Sequence, residues 1–196
     1  MKEGLLEIGG CKLWCVENRE GAQRDVILLH GAKFSAATWQ EVDTLDVLSQ
    51  AGYPVHALDM PGYGQSKPCP SLPVELLHEY ITRRKFNAPI LIGPSMGGSI
   101  CLDYYFTWPD TVGGLVLVGA VGLEKHRDRF ADLKAPCLLV WGENDTISPL
   151  SGARFIEQRI PVAELVVLER ASHPCYLDQP DKWHQSLLAF LKGNAF

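Results

Sequence analysis

Short apolar, β-branched runs alternate with amphipathic stretches along most of the chain. The runs Leu5 to Ile8, Lys12 to Glu17, Asp25 to Leu29, Val55 to Asp59, Ile90 to Ile92, Gly114 to Val118, Cys137 to Trp141 and Glu164 to Leu168 read as strands, each bounded by Gly, Pro or charge. Patterns of helical period lie between them, at Thr38 to Ala51, Val74 to Phe86, Met96 to Trp108, Pro149 to Ile160 and Lys182 to Leu191. From the third strand onward strand and helix alternate, which predicts an α/β fold: a mostly parallel eight-stranded sheet with helices on both faces. The first two strands, joined at Gly9-Gly10, predict an antiparallel hairpin at one edge. No internal repeat, low-complexity tract or Pro-, Gly- or Ser-rich linker divides the 196 residues, so one domain over residues 1–196 is expected.

Composition narrows the classes. Hydrophobic residues make up 46% and charged residues 21%, an ordinary globular balance. The net charge of -5 carries no long run of one sign, which argues against a nucleic-acid partner. The basic run Arg83, Arg84, Lys85 reads as a solvated helix end. No stretch approaches the roughly 18 apolar residues of a membrane helix, and the acidic start Met1-Lys2-Glu3-Gly4-Leu5-Leu6-Glu7 does not resemble a secretory signal. The six cysteines, Cys11, Cys15, Cys69, Cys101, Cys137 and Cys175, are scattered through apolar segments and read as reduced, largely buried thiols. A cytoplasmic protein without a membrane partner is the expectation. Cys11 and Cys15, four apart on one strand, share a face, which leaves a redox or metal pair as the minor alternative to buried thiols. No cluster of His, Cys and carboxylates has ligand spacing, and the glycines lack a dinucleotide fingerprint, so neither metal nor cofactor is expected.

The sharpest chemical signal is Gly93-Pro94-Ser95-Met96-Gly97-Gly98, placed between an apolar strand and a helical pattern. A Ser on so tight a turn takes a strained backbone conformation, and glycines two residues either side avoid collisions with strand and helix. Its hydroxyl then stands exposed at the start of the helix. Such a hydroxyl needs a general base, and the base needs a group that fixes its tautomer. His173 follows the last strand and Asp145 follows the strand Cys137 to Trp141, which places both at the sheet edge where Ser95 emerges. The chain order Ser95, Asp145, His173 suits a triad on an open α/β sheet. Glu124 is the alternative acid, and Asp145 has a second reading as a helix cap. His184, His78 and His126 fall outside this edge, the last two exposed, and His56, inside a strand, reads as structural.

Acyl transfer also requires donors for an oxyanion. The backbone amides of Met96, next to Ser95, and of Ala32, in the loop His30-Gly31-Ala32-Lys33, are the candidates. His30 reads as a loop-shaping residue. Lys33, Phe34 and Trp39 are expected near the mouth of a substrate pocket, with Lys33 placed to meet an anionic group.

With these residues in place the chain resembles the α/β hydrolases over nearly its whole length. The resemblance is carried by His30-Gly31, Asp59-Met60-Pro61-Gly62-Tyr63-Gly64-Gln65-Ser66, the Ser95 turn, Gly142-Glu143-Asn144-Asp145 and Ser172-His173. The segments from His30 to Ser35 and on to Trp39, and His173-Pro174-Cys175-Tyr176-Leu177-Asp178 with Trp183-His184, are similar to the α/β-hydrolase-domain-containing protein 14 group. That resemblance implies a small, lidless, cytosolic serine hydrolase with Ser95, Asp145 and His173 as its triad. For one branch it implies deacetylation of lysine with coenzyme A as acyl acceptor. Met96-Gly97-Gly98 is closer to generic esterases.

Fewer than twenty residues separate Val118 from Cys137, too few for the helical cap that larger relatives of this fold insert there. An open site suits a short acyl group, or one carried on something large such as an acylated protein. The expected function is therefore carboxylesterase-like hydrolysis of short-chain esters, thioesters or amides through an acyl-enzyme. Acetyl transfer to coenzyme A is one alternative. A non-catalytic protein-interaction module on the same fold is another.

Overall fold

Four runs that lack polar positions become the central strands. In the computed structural model, which describes every residue except Ala195, β3 (Val26–Leu28), β5 (Ile90–Pro94), β6 (Gly114–Val118) and β7 (Cys137–Gly142) are buried at every position. Burial on both faces is what a parallel sheet between helical layers requires. Around them stand β1 (Lys2–Ile8), β2 (Cys11–Asn18), β4 (Val55–Leu58) and β8 (Ala163–Leu168). The sheet order is β1-β2-β4-β3-β5-β6-β7-β8, with β1 and β2 antiparallel and the strands from β4 to β8 parallel. Gly9 and Gly10 turn the edge hairpin with φ of 56° and 74°, the left-handed pair that a two-residue turn between twisted strands demands.

Successive residues of a strand serve opposite faces. Leu91 of β5 packs with α3 (Pro73–Arg84), α4 (Met96–Thr107) and α5 (Leu150–Glu157). Its neighbours Ile90 and Ile92 pack with α1 (Ala37–Glu41), α2 (Thr44–Gln50), α6 (Cys175–Asp178) and α7 (Pro180–Gly193). The single helix expected over Thr38 to Ala51 is two. Asp43, with φ of 58°, breaks it and starts α2 at Thr44, whose hydroxyl accepts the Trp183 indole N–H and meets His184. The short α6 lies directly after His173 and was not expected.

Residues 119–136, where a cap would be inserted, run instead as two tight turns, Leu123–His126 and Phe130–Asp132, folded onto α4. His126 Nε2 and Lys125 Nζ each reach Asp103 Oδ1 at 2.7 Å, the Arg129 guanidinium lies 4.6 Å from the centre of the Phe106 ring, and the Lys134 amide donates to the Tyr105 hydroxyl at 2.8 Å. His126 is therefore buried, 6% exposed, where exposure was expected. His78 is half-buried, stacked on Trp108 at 3.9 Å.

The cysteine reading needs correction. Cys11, at the start of β2, is joined by a disulfide to Cys69 in the loop after β4, their Cα atoms 5.9 Å apart. The partner comes from the loop after β4, the strand next to β2, so Cys15 is not paired with Cys11. Cys15, Cys101, Cys137 and Cys175 are free and buried, and burial pushes the thiols of Cys15, Cys137 and Cys175 up to about 12. The argument for a reducing compartment drawn from six free thiols falls with the disulfide.

Arg84 is not solvated either. It donates to Glu17 Oε2 at 2.6 Å beneath the hairpin. Glu17 also meets His56 Nδ1 at 3.2 Å, and His56 Nε2 meets Asp25 Oδ1 at 3.0 Å. This ionic cluster fastens β2 to β4, in keeping with the structural reading of His56.

Candidate active site

Ser95 stands between β5 and α4 with φ of 49° and ψ of -114°. A non-glycine residue rarely adopts such a backbone, and three contacts hold it there. Its amide donates to Val118 O at 2.9 Å, and its carbonyl accepts the amides of Ser99 at 3.1 Å and Val121 at 3.3 Å. Gly93 and Gly97 make the turn feasible. A β-carbon on Gly93 would overlap the Gly97 carbonyl group, and one on Gly97 would lie 2.9 Å from His30 O. The turn thus presents Ser95 at the end of the sheet, partly accessible.

Asp145 and His173 come to the same edge from the loops after β7 and β8. Those loops are tied together: the Glu143 amide donates to Leu168 O at 3.0 Å and the Asn144 amide to Ala171 O at 2.9 Å. Asp145 Oδ1 accepts the amides of Ile147 and Ser148, each at 2.8 Å. That frees Oδ2 for His173 Nδ1, also at 2.8 Å. The Asp145 side chain is 0% exposed and that of His173 19%. A buried carboxylate on Nδ1 orients the ring and leaves Nε2 available for a proton from outside. Asp145 does not cap α5, whose N-cap is Pro149 without a side-chain bond; its Oδ1 contacts hold the turn that precedes the helix. Glu124, the alternative acid, is exposed on the turn after β6.

The end of β6 lies between Ser95 and this pair. Val118 O receives the Ser95 amide, and the next residue, Gly119, abuts Asp145 and His173. Sequence reasoning overlooked Gly119. Its positive φ of 51° at the end of an apolar run gives no local signal. Asp178 carries no chemical signal of its own in the sequence beyond the family segment that contains it. Its Oδ2 accepts both the amide and the hydroxyl of Ser172 at 2.6 Å, which holds the residue before His173.

The loop after β3 passes over Ser95: a β-carbon on Gly31 would stand 3.6 Å from Ser95 Cβ. The Phe34 amide closes this loop onto Gly31 O at 3.0 Å. Among the described residues the amides of Ala32, inside that turn, and Met96, first in α4, have no backbone acceptor. His30 pins the loop from below. Its Nε2 accepts the Met60 amide at 3.0 Å and its Nδ1 meets Gly31 O at 2.8 Å, so Nδ1 carries the proton and donates it. Burial lowers the His30 pKa, in keeping with this neutral form. Asp59 completes the clamp, accepting the Ala36 amide at 2.6 Å and the Gln65 amide at 2.7 Å.

Lys33 is exposed and Phe34 half-buried, edge-on to Tyr176 with ring centres 6.4 Å apart. Trp39 corrects the expectation of a pocket wall. It is 0% exposed, its indole donates to Leu29 O at 3.2 Å, and it packs on Tyr176 and Trp183 with ring centres 5.0 and 6.3 Å away. The face of α1 that carries it turns toward the sheet, so it forms the floor under the site. Among the described residues no three His, Cys, Asp or Glu side chains converge as a metal site, and no helix is long and apolar enough to cross a membrane.

Comparison with known proteins agrees with this fold. The family model described as "Alpha/beta hydrolase family" matches residues 26–130. The human protein named "Putative protein-lysine deacylase ABHD14B" is 34% identical over 203 residues, covering 98% of this chain and 96% of its own. "Protein ABHD14A" of Danio rerio is 34% identical over 172 residues, 85% of this chain and 63% of that one. Among solved structures, a predicted CIB-like hydrolase from Thermoplasma acidophilum superposes with a TM-score of 0.93 at 24% identity, covering 98% of both chains. An esterase from Exiguobacterium antarcticum gives a TM-score of 0.86 at 18% identity, over 97% of this chain and 100% of that one. With an uncapped eight-stranded sheet and a relative matched over nearly the whole length of both chains, this protein belongs to the alpha/beta hydrolase family, in the group of ABHD14B and ABHD14A.

Proposed function

We propose that the protein is a serine hydrolase that cleaves short-chain esters, thioesters or amides through an acyl-enzyme. The observation that carries the reading is the buried Asp145 carboxylate held on His173 Nδ1 at 2.8 Å, at the edge where the Ser95 turn emerges. In this reading Ser95 Oγ attacks the carbonyl carbon while His173 Nε2 takes its proton. Asp145 stabilises the imidazolium that forms, and the Ala32 and Met96 amides receive the oxyanion. The imidazolium returns the proton to the leaving group. Water, deprotonated by the same nitrogen, then releases the acid. His30 takes no part, because both of its nitrogens are engaged.

Acylated lysine is one amide of this class, in keeping with the name of the human relative, and the acyl group is then carried by a protein partner. Coenzyme A in place of water as acyl acceptor is the second reading. Both are tested by treating the purified protein and Ser95→Ala with a fluorophosphonate probe and a short-chain p-nitrophenyl ester, with and without coenzyme A. Labelling and turnover that vanish in the variant support Ser95 as nucleophile, and acceleration by coenzyme A assigns the acceptor. A folded wild type that neither labels nor turns over any ester refutes the hydrolase reading and favours a binding module.

A further inference from the structure

A groove leads away from the candidate site between the turn after β6 and the start of α5. Its inner part, a cavity of about 240 Å³, is lined by residues 121–124 and by Ile147, Ser148, Pro149, Ser151 and Gly152. Its outer part, about 180 Å³, shares Leu123, Glu124, Ser151 and Gly152 and continues to Arg127 and Phe155. The inner end adjoins the residues that hold Ser95 and Asp145. The Val121 amide donates to Ser95 O and the Ser148 amide to Asp145 Oδ1.

The walls change character along the groove. Val121, Leu123, Pro149 and Ile147, the last 64% exposed, give the inner stretch an apolar strip beside the polar Glu124, Ser148 and Ser151. At the outer end the Arg127 guanidinium lies 4.7 Å from the centre of the Phe155 ring, and that of Arg159 lies 3.5 Å from the same centre. Among the described residues neither arginine has a carboxylate within 4.0 Å. Two exposed cations on one aromatic ring make this end of the groove locally positive in a chain of net charge -5.

Resting on the hydrolase reading, we propose that this groove is the subsite for the distal part of the substrate: an aliphatic chain that ends in a carboxylate received by Arg127, with Arg159 adding positive charge behind it. Phe155 lies about 8 Å along the helix axis from Leu150, so a chain that enters the groove beside Pro149 needs several methylenes to bring its carboxylate to Arg127. A carboxylate close to the reacting carbon would not reach. Glu124, on the wall between, disfavours anions that stop short.

The test uses kcat/KM ratios. The p-nitrophenyl monoester of suberic acid carries its carboxylate on the acyl side, and the acetate ester of ω-hydroxyoctanoic acid carries it on the leaving side. Each is compared with the same compound methylated at the carboxylate. In one of the two arms the charged ester is expected to exceed its neutral partner by about tenfold, and that arm assigns the groove to acyl or leaving group. The ratio falls toward one in Arg127→Gln and rises in Glu124→Gln. Equal ratios for charged and neutral esters in both arms, or a ratio unmoved by Arg127→Gln, overturn the proposal.

Binding decides the matter apart from turnover. Titration calorimetry of Ser95→Ala with monomethyl and dimethyl suberate is expected to show tighter binding of the monoester, lost in Ser95→Ala/Arg127→Gln. Equal binding of the two refutes the subsite even in an active enzyme. Preferential binding in a protein that hydrolyses nothing retains the subsite and removes the hydrolase reading.

Discussion

A β-carbon on Gly119 would stand 3.0 Å from Asp145 Oδ2, and 3.2 Å from His173 Nδ1. The gap that this glycine leaves is what lets the carboxylate and the imidazole meet. Its φ of 51° also penalises any side chain. Gly119→Ala is expected to cost about 1 kcal/mol of stability and to lower kcat by up to about 100-fold. Urea denaturation beside ester turnover reads both. A variant with wild-type turnover would show that the pair tolerates displacement.

Asp145→Asn keeps an oxygen for the Ile147 and Ser148 amides and removes the charge from His173. The expected result is a kcat reduced by roughly 10³- to 10⁴-fold with little change in melting temperature. Asp145→Ala, which also removes the acceptor of the buried Ser148 amide and the part-buried Ile147 amide, should add a stability loss of about 1–3 kcal/mol. Similar melting temperatures for the two variants would remove the anchoring role of Oδ1.

The disulfide ties residues 58 apart in sequence. In the chain-entropy account a loop of that length stabilises the fold by about 4 kcal/mol. Thiol titration of the unfolded, unreduced protein is expected to count four free cysteines and, after reduction, all six. Cys69→Ser should lower the urea midpoint. Six reactive thiols before reduction would contradict the pairing.

His30 ties stability to pH. Burial holds its folded pKa below the usual 6.5, so between the two values the unfolded chain binds the extra proton. The stabilisation is complete above about pH 6.5 and is lost as pH falls through the folded pKa. Protonation of Nε2 also removes the acceptor of the Met60 amide. Stability measured by urea at pH 7.5 and 5.5 is expected to drop, and to drop less in His30→Phe. His184, lowered for the same reason, acts in the same direction and limits how far the slope flattens.

Local signals made much of this molecule legible before its structure. The all-apolar runs around Ile90, Leu115 and Leu138 could only be central strands, and the Ser95 turn announces itself because its glycines must sit where side chains would collide. Asp145 and His173 follow their strands by a few residues, so placing the strands placed them at one edge. The Cys11 to Cys69 pairing was invisible, since it depends on how the loop after β4 returns over the hairpin. Trp39 was misplaced because a five-residue helix does not reveal which face it turns inward. The break at Asp43 carries neither Gly nor Pro, and Arg84 reads as surface charge until Glu17 is brought beneath it from the other end of the sheet.

Tyr176 lies three residues beyond His173 and rests on Trp39 and Trp183, two fully buried indoles in mutual contact. Movement of the His173 loop therefore changes the surroundings of two of the chain's five tryptophans. The protein carries its own optical gauge: a displacement of the His173 loop is expected to register in intrinsic fluorescence without any attached dye.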